Sequence, residues 1–313
     1  MILTKNHLDK AINTVDGLVH QTPVLTSSAL NEMAGAQVYF KCENFQKMGA
    51  FKMRGATNAI QNLSKEQKAA GVVTHSSGNF GQAVALAAKN LGVTAYVVMP
   101  ENAPSVKKEA VKGYGAIITE CESTLKAREE TSAKIQQETG ATFLHPSNNL
   151  DVILGNATAG VELLHKYPEL DYLLVPVGGG GLLAGTALAA KYFGNNCNVI
   201  GGEPFAADDA YRSLQSGKIE TNASANTVAD GLRTNLGDLN FPIIQELVSE
   251  IIRVEEDEIV EAMKHIWQRM KIIIEPSCAV PFAAVLREKE KFQYKKIGII
   301  LSGGNVDVMN LPF

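Results

Sequence analysis

The sequence predicts an α/β protein built as two lobes, each an open, mostly parallel sheet flanked by helices. Three observations predict it. Short runs rich in Val, Ile and Ala alternate with stretches of helical period, as strands feeding helices do. The alternation comes in two sets, one between Val72 and Glu138 and one from Val152 onward. Glycine- or serine-rich segments stand where strands hand over to helices, the place where ligands of open α/β sheets collect.

In the first set, Val72 to His75 reads as a strand leading into a helix near Asn79 to Leu91. Thr94 to Met99 is a second strand, closed by Pro100 ahead of a helix near Pro104 to Gly113. Ala116 to Ile118 precedes a long polar helix near Ser123 to Glu138. The second set opens with a helix around Val152 to Lys166, then a strand at Tyr172 to Val177, a helix at Leu182 to Phe193 and a strand at Val199 to Gly202. Helices near Glu256 to Met270 and Ser277 to Glu288 and a strand at Lys296 to Leu301 complete it. No fixed-period repeat interrupts the pattern.

Composition narrows the function. Of 313 residues, 45% are hydrophobic and 20% charged, the profile of an ordinary globular protein. Lys and Arg number 29 against 33 Asp and Glu, with no basic run, so the phosphate-neutralising stripe of a nucleic-acid binder is missing and no such partner is expected. Cys42, Cys121, Cys197 and Cys278 are scattered, which suits free thiols in a reducing compartment. Lys5, His7, Asp9 and Lys10 break the apolar core a signal peptide needs, and no long apolar run suggests a membrane span. A cytoplasmic protein is expected.

Four segments carry chemistry. Gly178-Gly179-Gly180-Gly181 follows a strand and opens a helix, where backbone N–H groups converge at the positive helix end to form a phosphate cradle. A tight turn is the bland reading, and Gly179, Gly181 and Ala184 with Glu203 also fit a dinucleotide fingerprint, which keeps an NAD(P)-dependent oxidoreductase open at this point. Lys52 stands between Phe51 and Met53 at a helix start. An amine among apolar neighbours loses hydration, its pKa falls, and the neutral form becomes available for a Schiff base. Ser76-Ser77-Gly78-Asn79 offers hydroxyls, a carboxamide and free N–H groups at another helix N-terminus, suited to a carboxylate or simply to capping. Ser302-Gly303-Gly304-Asn305 ends the last strand, where ligands gather or the chain merely turns.

Together these segments resemble the fold type II family of pyridoxal phosphate enzymes, in the branch of serine racemase, serine/threonine dehydratase and threo-3-hydroxyaspartate dehydratase. The resemblance runs through Phe40 to Gln46, Ala50 to Ala56, Thr74 to Asn79, Pro176 to Gly181, Ala229 to Gly231 and Leu301 to Asp307. The dinucleotide reading leaves three of the four segments unexplained. The family implies a two-lobed fold like that of the tryptophan synthase β chain, with residues 1–70 plus 149–313 as the large cofactor-binding domain and 71–148 as a small substrate-closing domain.

Carried over by resemblance, Lys52 holds the coenzyme and acts as general base, Phe51 packs on its ring, and Gly178, Gly179, Gly180 and Gly181 take its phosphate. Asn79 bonds its phenolic oxygen and Ser302 faces its pyridine nitrogen. Ser76, Ser77, Gly78 and Asn79 receive the substrate carboxylate, with Arg128 tied to substrate binding and lobe closure. A hydroxyl such as that of Ser302 cannot hold a proton on the pyridine as a carboxylate would, so the electron sink is weak and expulsion of a β-hydroxyl is favoured. Ser77, on the face opposite Lys52, supplies the second acid/base group that inversion needs. Glu203, the carbonyl of Ala207 and Asp209 match the family's divalent-metal loop, and their oxygens suit Mg²⁺ or Ca²⁺. Phe80 replaces a histidine usual in this branch, and Ser147 stands where relatives carry asparagine or a bulkier residue. The implied activities are β-elimination from L-serine, L-threonine or 3-hydroxyaspartate and racemisation of serine, by a homodimer. A protein that binds the cofactor or an amino acid without turnover is the remaining alternative.

Overall fold

A computed structural model describes residues 3–76, 78–103 and 105–313. Its strands, in chain order, are β1 (Val24–Leu25), β2 (Gln37–Cys42), β3 (Val72–His75), β4 (Ala95–Pro100), β5 (Ile117–Cys121), β6 (Thr142–Phe143), β7 (Tyr172–Pro176), β8 (Asn198–Pro204), β9 (Val248–Val254) and β10 (Lys296–Leu301). They form a six-stranded sheet in the order β1-β2-β10-β7-β8-β9 and a four-stranded sheet in the order β5-β4-β3-β6. Every pairing is parallel except that of β1 with β2. The α/β expectation of two mostly parallel sheets therefore holds.

The final strand takes a central place, inserted between β2 and β7 and parallel to both. Five of its six residues, from Ile297 to Leu301, are buried, as expected for a strand covered on both faces. Its carboxyl end lies beside the segment that precedes Lys52: Phe51 N–H donates to Ser302 O at 3.0 Å, and Ala50 forms an antiparallel bridge with Gly303. Two apolar clusters cover the two faces of this sheet, and a third fills the space between the smaller sheet and helices Lys52–Gln61 and Asn79–Leu91. Helix Lys52–Gln61 touches both helix Asn79–Leu91 and helix Leu150–Lys166, so it spans from one sheet's layer to the other's.

Several elements escape the periodicity. Strand β2 is one, because the buried Lys41 near its end and Gln37 at its start leave only a short apolar run. Strand β9 is another: it lies at the sheet edge, with Ser249 exposed and Glu250 and Arg253 only partly covered, which interrupts the apolar pattern. Helix Lys5–Val15 buries only Leu8, Ala11 and Val15. Elsewhere the ends shift by one to three residues; helix Leu125–Thr139, for instance, is capped by Thr124, whose side chain accepts from Ala127 N–H.

Candidate active site

A cavity of about 460 Å³ opens at the carboxyl ends of the central strands. Its lining includes Phe51, Lys52, Ser76, Gly78, Asn79, Arg128, Ser302 and the run Gly178 to Gly181. These are all of the described residues expected at the coenzyme and substrate sites. Ser77 lies outside the described residues.

Lys52 is the first residue of its helix, and its amine donates to the carbonyl of Pro146 at 2.7 Å. The nitrogen lies 5.0 Å from the centre of the Phe51 ring and 5.6 Å from that of Phe80. Burial between these rings pulls the ammonium down to a pKa of about 8, while the negative charge of Glu275 opposes the fall. Phe80, in place of a histidine, thus helps to dry the amine.

The helix that carries Lys52 is held by a buried ion cluster. Arg54, fully buried, donates bidentately to Glu43 at 2.7 and 2.9 Å and to Glu162 at 2.6 and 3.0 Å. Lys41 completes the cluster at 2.5 Å from Glu162 and 2.7 Å from the carbonyl of Thr22. Lys41, Glu43 and Arg54 therefore explain, in terms of charge, why two separate stretches of the family pattern belong together.

The glycine loop is crowded on its protein side. A Cβ at Gly178 would stand 2.8 Å from Leu232 Cα, one at Gly181 would stand 2.9 Å from Ser147 O, and one at Gly179 would collide with the Ser147 hydroxyl. Gly180 has φ +78°, a conformation that L side chains rarely adopt. Among the described residues, the N–H groups of Gly178, Gly179, Gly180, Gly181 and Leu182 find no protein acceptor. A row of unsatisfied N–H groups at the N-terminus of helix Gly181–Phe193 fits a phosphate. Ser147, sitting on the loop, leaves little room there for a larger side chain.

Asn79 is gripped from both sides. Its Nδ2 lies 3.0 Å from each carboxylate oxygen of Glu275, and its Oδ1 accepts from Asn305 Nδ2 at 2.9 Å. Asn305 also donates to Met48 O at 2.8 Å. Burial pushes the Glu275 carboxyl up to about 7, against the pull of the Asn79 hydrogen bond. Glu275 is absent from the sequence expectations, because Glu275-Pro276 reads simply as a helix start. His145 also escapes that reading. Its Nδ1 accepts N–H groups from Ser147 at 3.2 Å and Asn148 at 2.8 Å, and burial pulls its pKa down to about 4. With Nδ1 occupied as acceptor, the neutral ring carries its proton on Nε2.

At the mouth, Arg128 forms no ion pair among the described residues and donates only to Thr124 O at 3.3 Å. The Ser76 hydroxyl accepts Gly78 N–H at 3.3 Å.

The expected metal residues lie apart from the cavity. Glu203 and Asp209 are fully buried. Glu203 accepts N–H groups from Ala210 at 2.9 Å and Tyr211 at 2.8 Å, so both of its oxygens are already engaged by the protein and not by a ribose. Desolvation raises its pKa, and that of Asp209 rises to about 6 for the same reason. Asp209 Oδ1 takes a hydrogen bond from Asn222 at 2.6 Å, whereas Oδ2 is buried with no partner. Among the described residues no cluster of three or more His, Cys, Asp or Glu side chains forms a metal site. A cation here would rely on two carboxylates and on oxygens such as the Ala207 carbonyl, and the orphaned Oδ2 is what a cation would satisfy.

Fold and site together define a class. Residues 15–303 match the family described as pyridoxal-phosphate dependent enzyme, and the chain belongs to it. It is similar to the serine racemase of Dictyostelium discoideum, 51% identical over 99% of this chain and 97% of that one. It is also similar to the β-hydroxyaspartate dehydratase of Paracoccus denitrificans, 48% identical over 94% of each. The crystal structure of the Dictyostelium discoideum serine racemase superposes with a TM-score of 0.94 at 52% identity, covering 98% of this chain and 99% of the other. The family's coenzyme is pyridoxal phosphate, and the dry amine and the unsatisfied glycine N–H groups fit it.

Proposed function

We propose that this protein removes water from a small β-hydroxy amino acid, L-serine, L-threonine or 3-hydroxyaspartate, to give a keto acid and ammonia, and that it racemises serine at the same site. The observation that carries the reading is that the Lys52 amine and the unsatisfied N–H groups of the glycine loop open onto one cavity. The activities of proteins about half identical to this chain, serine racemase and β-hydroxyaspartate dehydratase, support it.

Pyridoxal phosphate, bound through Lys52, would supply the electron sink that acidifies the amino acid's Cα–H. Lys52 Nζ would take and return the Cα proton on its own side. Phe51 and Phe80 exclude water from that nitrogen. Gly178 to Gly181 would hold the phosphate, Asn79 would bond the phenolic oxygen, and the Ser302 hydroxyl would serve the pyridine nitrogen without fixing a proton there, which would favour loss of the β-hydroxyl over long-lived charge. Ser76, Gly78, Asn79 and, on sequence grounds, Ser77 receive the substrate carboxylate. Ser77 is also assigned the proton on the opposite face. Arg128, unpaired among the described residues, belongs to the substrate site at the mouth.

Glu203, Ala207 and Asp209 form part of the reading as a Mg²⁺ or Ca²⁺ site, supported by the orphaned buried oxygen of Asp209. Residues 71–148, which contain the whole four-stranded sheet, act as the lobe that closes over substrate, with 1–70 plus 149–313 as the cofactor-binding domain. A homodimer, implied by the resemblance to the family, belongs to the same reading. Among the described residues no helix is long and apolar enough to cross a membrane, and all four cysteines are free, which supports a cytoplasmic setting.

The test is a substrate panel of L-serine, D-serine, L-threonine and threo-3-hydroxyaspartate, with keto acid release and the chirality of recovered amino acid both measured. Keto acid from at least one hydroxy amino acid is expected, with serine inversion abolished in Ser77→Ala. Binding of the coenzyme with neither product nor inversion from any of them would reduce the protein to a binder.

A further inference from the structure

The glycine loop is fastened by a residue that does not touch the cavity. Asn240 is fully buried ahead of helix Phe241–Leu247 and is not part of the cavity lining. Its Nδ2 donates to Gly179 O at 2.8 Å and to Ser147 O at 3.2 Å, and its Oδ1 accepts Gly237 N–H at 3.1 Å. Both amide protons and the carbonyl are thereby used.

The consequence follows from peptide geometry. Gly179 C=O and Gly180 N–H belong to one planar trans peptide and point in opposite directions. A carbonyl drawn toward Asn240 leaves the Gly180 N–H facing away from Asn240, with no protein acceptor among the described residues. Were the peptide to turn over, the carbonyl oxygen would face the anion and repel it. Asn240 also sits tight against the loop, since a Cβ on Gly180 would come within 2.7 Å of Asn240 Oδ1. Its second bond, to Ser147, reaches the residue directly after Pro146, whose carbonyl takes the Lys52 amine. One carboxamide thus ties the anion end of the cavity to the amine end.

We propose that Asn240 is a positioning residue for the coenzyme's phosphate, holding the Gly179–Gly180 peptide with its N–H toward the anion. This rests on the reading of Gly178 to Gly181 as the phosphate site. Asn240→Asp keeps the shape and removes the donors, setting a carboxylate against two carbonyls; Asn240→Ser shortens the side chain and breaks the span.

The experiment titrates coenzyme-free, full-length protein with pyridoxal phosphate and, separately, with pyridoxal, which offers the same aldehyde without the phosphate. Each variant should lose affinity for pyridoxal phosphate by about ten-fold or more, as expected for misdirected hydrogen bonds to a charged group, while its affinity for pyridoxal changes little. Equal loss for both ligands, or no loss for either, would overturn the proposal. Wild-type protein that binds pyridoxal as tightly as pyridoxal phosphate would instead overturn the phosphate-loop reading itself. Should neither variant fold, the unaltered protein decides: on addition of inorganic phosphate the side-chain amide resonances of Asn240 should shift, and their constancy would refute the proposal.

Discussion

The Lys52 amine donates a 2.7 Å hydrogen bond to the carbonyl of Pro146, and that single contact joins the two halves of the site. Pro146 belongs to a turn whose N–H groups, from Ser147 and Asn148, are taken up by the His145 ring. Ser147 then lies on Gly179 and Gly181. The reactive nitrogen and the anion loop are therefore positioned by the same four residues.

The amine's titration should govern coenzyme capture. Only the neutral amine attacks an aldehyde, so with Lys52 pulled down to about 8 the rate at which apo-protein takes up pyridoxal phosphate should rise through about pH 8 and level off above it. Phe80→Ala admits water and should move this midpoint upward. Glu275→Gln removes the negative charge that opposes the fall and should move it downward. Stopped-flow absorbance against pH measures all three, and coincident midpoints would contradict the assigned causes.

Breaking the ion cluster should be costly. Arg54→Met leaves Glu43 buried beside a neutral side chain, and removing one partner of a buried pair costs about 3–5 kcal/mol. Urea denaturation of the holoprotein should show a loss of that order. A change within about 0.5 kcal/mol, the range of an ordinary surface substitution, would mean that the cluster is not needed.

His145 and Glu275 should give opposite slopes to stability in mild acid. His145 has a folded pKa of about 4 against an ordinary value of 6.5, so the unfolded chain binds its proton first, and this group's contribution falls as pH drops from 6.5 toward 4. Glu275 has a folded pKa of about 7 against 4.5, so the folded chain holds the proton, and its contribution falls as pH rises from 4.5 to 7. His145→Asn, which keeps an acceptor for the turn, should flatten the acid-side loss, and Glu275→Gln should remove the opposing slope. Melting temperature against pH for the two variants and wild type gives the answer; parallel curves would contradict both.

Chelation should lower stability at Glu203 and Asp209. Occupancy at a hundred-fold excess over Kd contributes about 2.7 kcal/mol, and its loss should appear as a lower melting temperature in excess chelator. Asp209→Asn, which removes a ligand charge, should blunt that response. Identical melting with and without chelator would remove the cation from the account.

Local chemistry was legible in the sequence and long-range chemistry was not. Lys52, the glycine run, Ser76 to Asn79 and Ser302 each stand at a strand or helix end in the sequence. Singly, all but the glycine run read as well or better as a cap, a turn or a surface lysine. Together, in the family's order, they point to one ligand site, and the structure brings the described ones to one cavity. Glu275, Asn305, His145 and Asn240 carry no such signature. Their meaning lies in partners far away in the chain, such as Asn79 for Glu275 and Gly179 for Asn240, which only the fold supplies. The fingerprint formed by Gly179, Gly181, Ala184 and Glu203 shows the converse hazard: its spacing is right, yet Glu203 is spent on the N–H groups of Ala210 and Tyr211. Strands β2 and β9 were hidden for a related reason, a buried lysine in one and partly covered polar residues in the other.

The central claim is that Lys52 carries the coenzyme. Protein loaded with pyridoxal phosphate, reduced with borohydride, digested and analysed by mass spectrometry should show a single phosphopyridoxyl adduct, on the peptide containing Lys52, and Lys52→Ala should show none. An adduct on another lysine, or no adduct in protein that has bound the coenzyme, would contradict it.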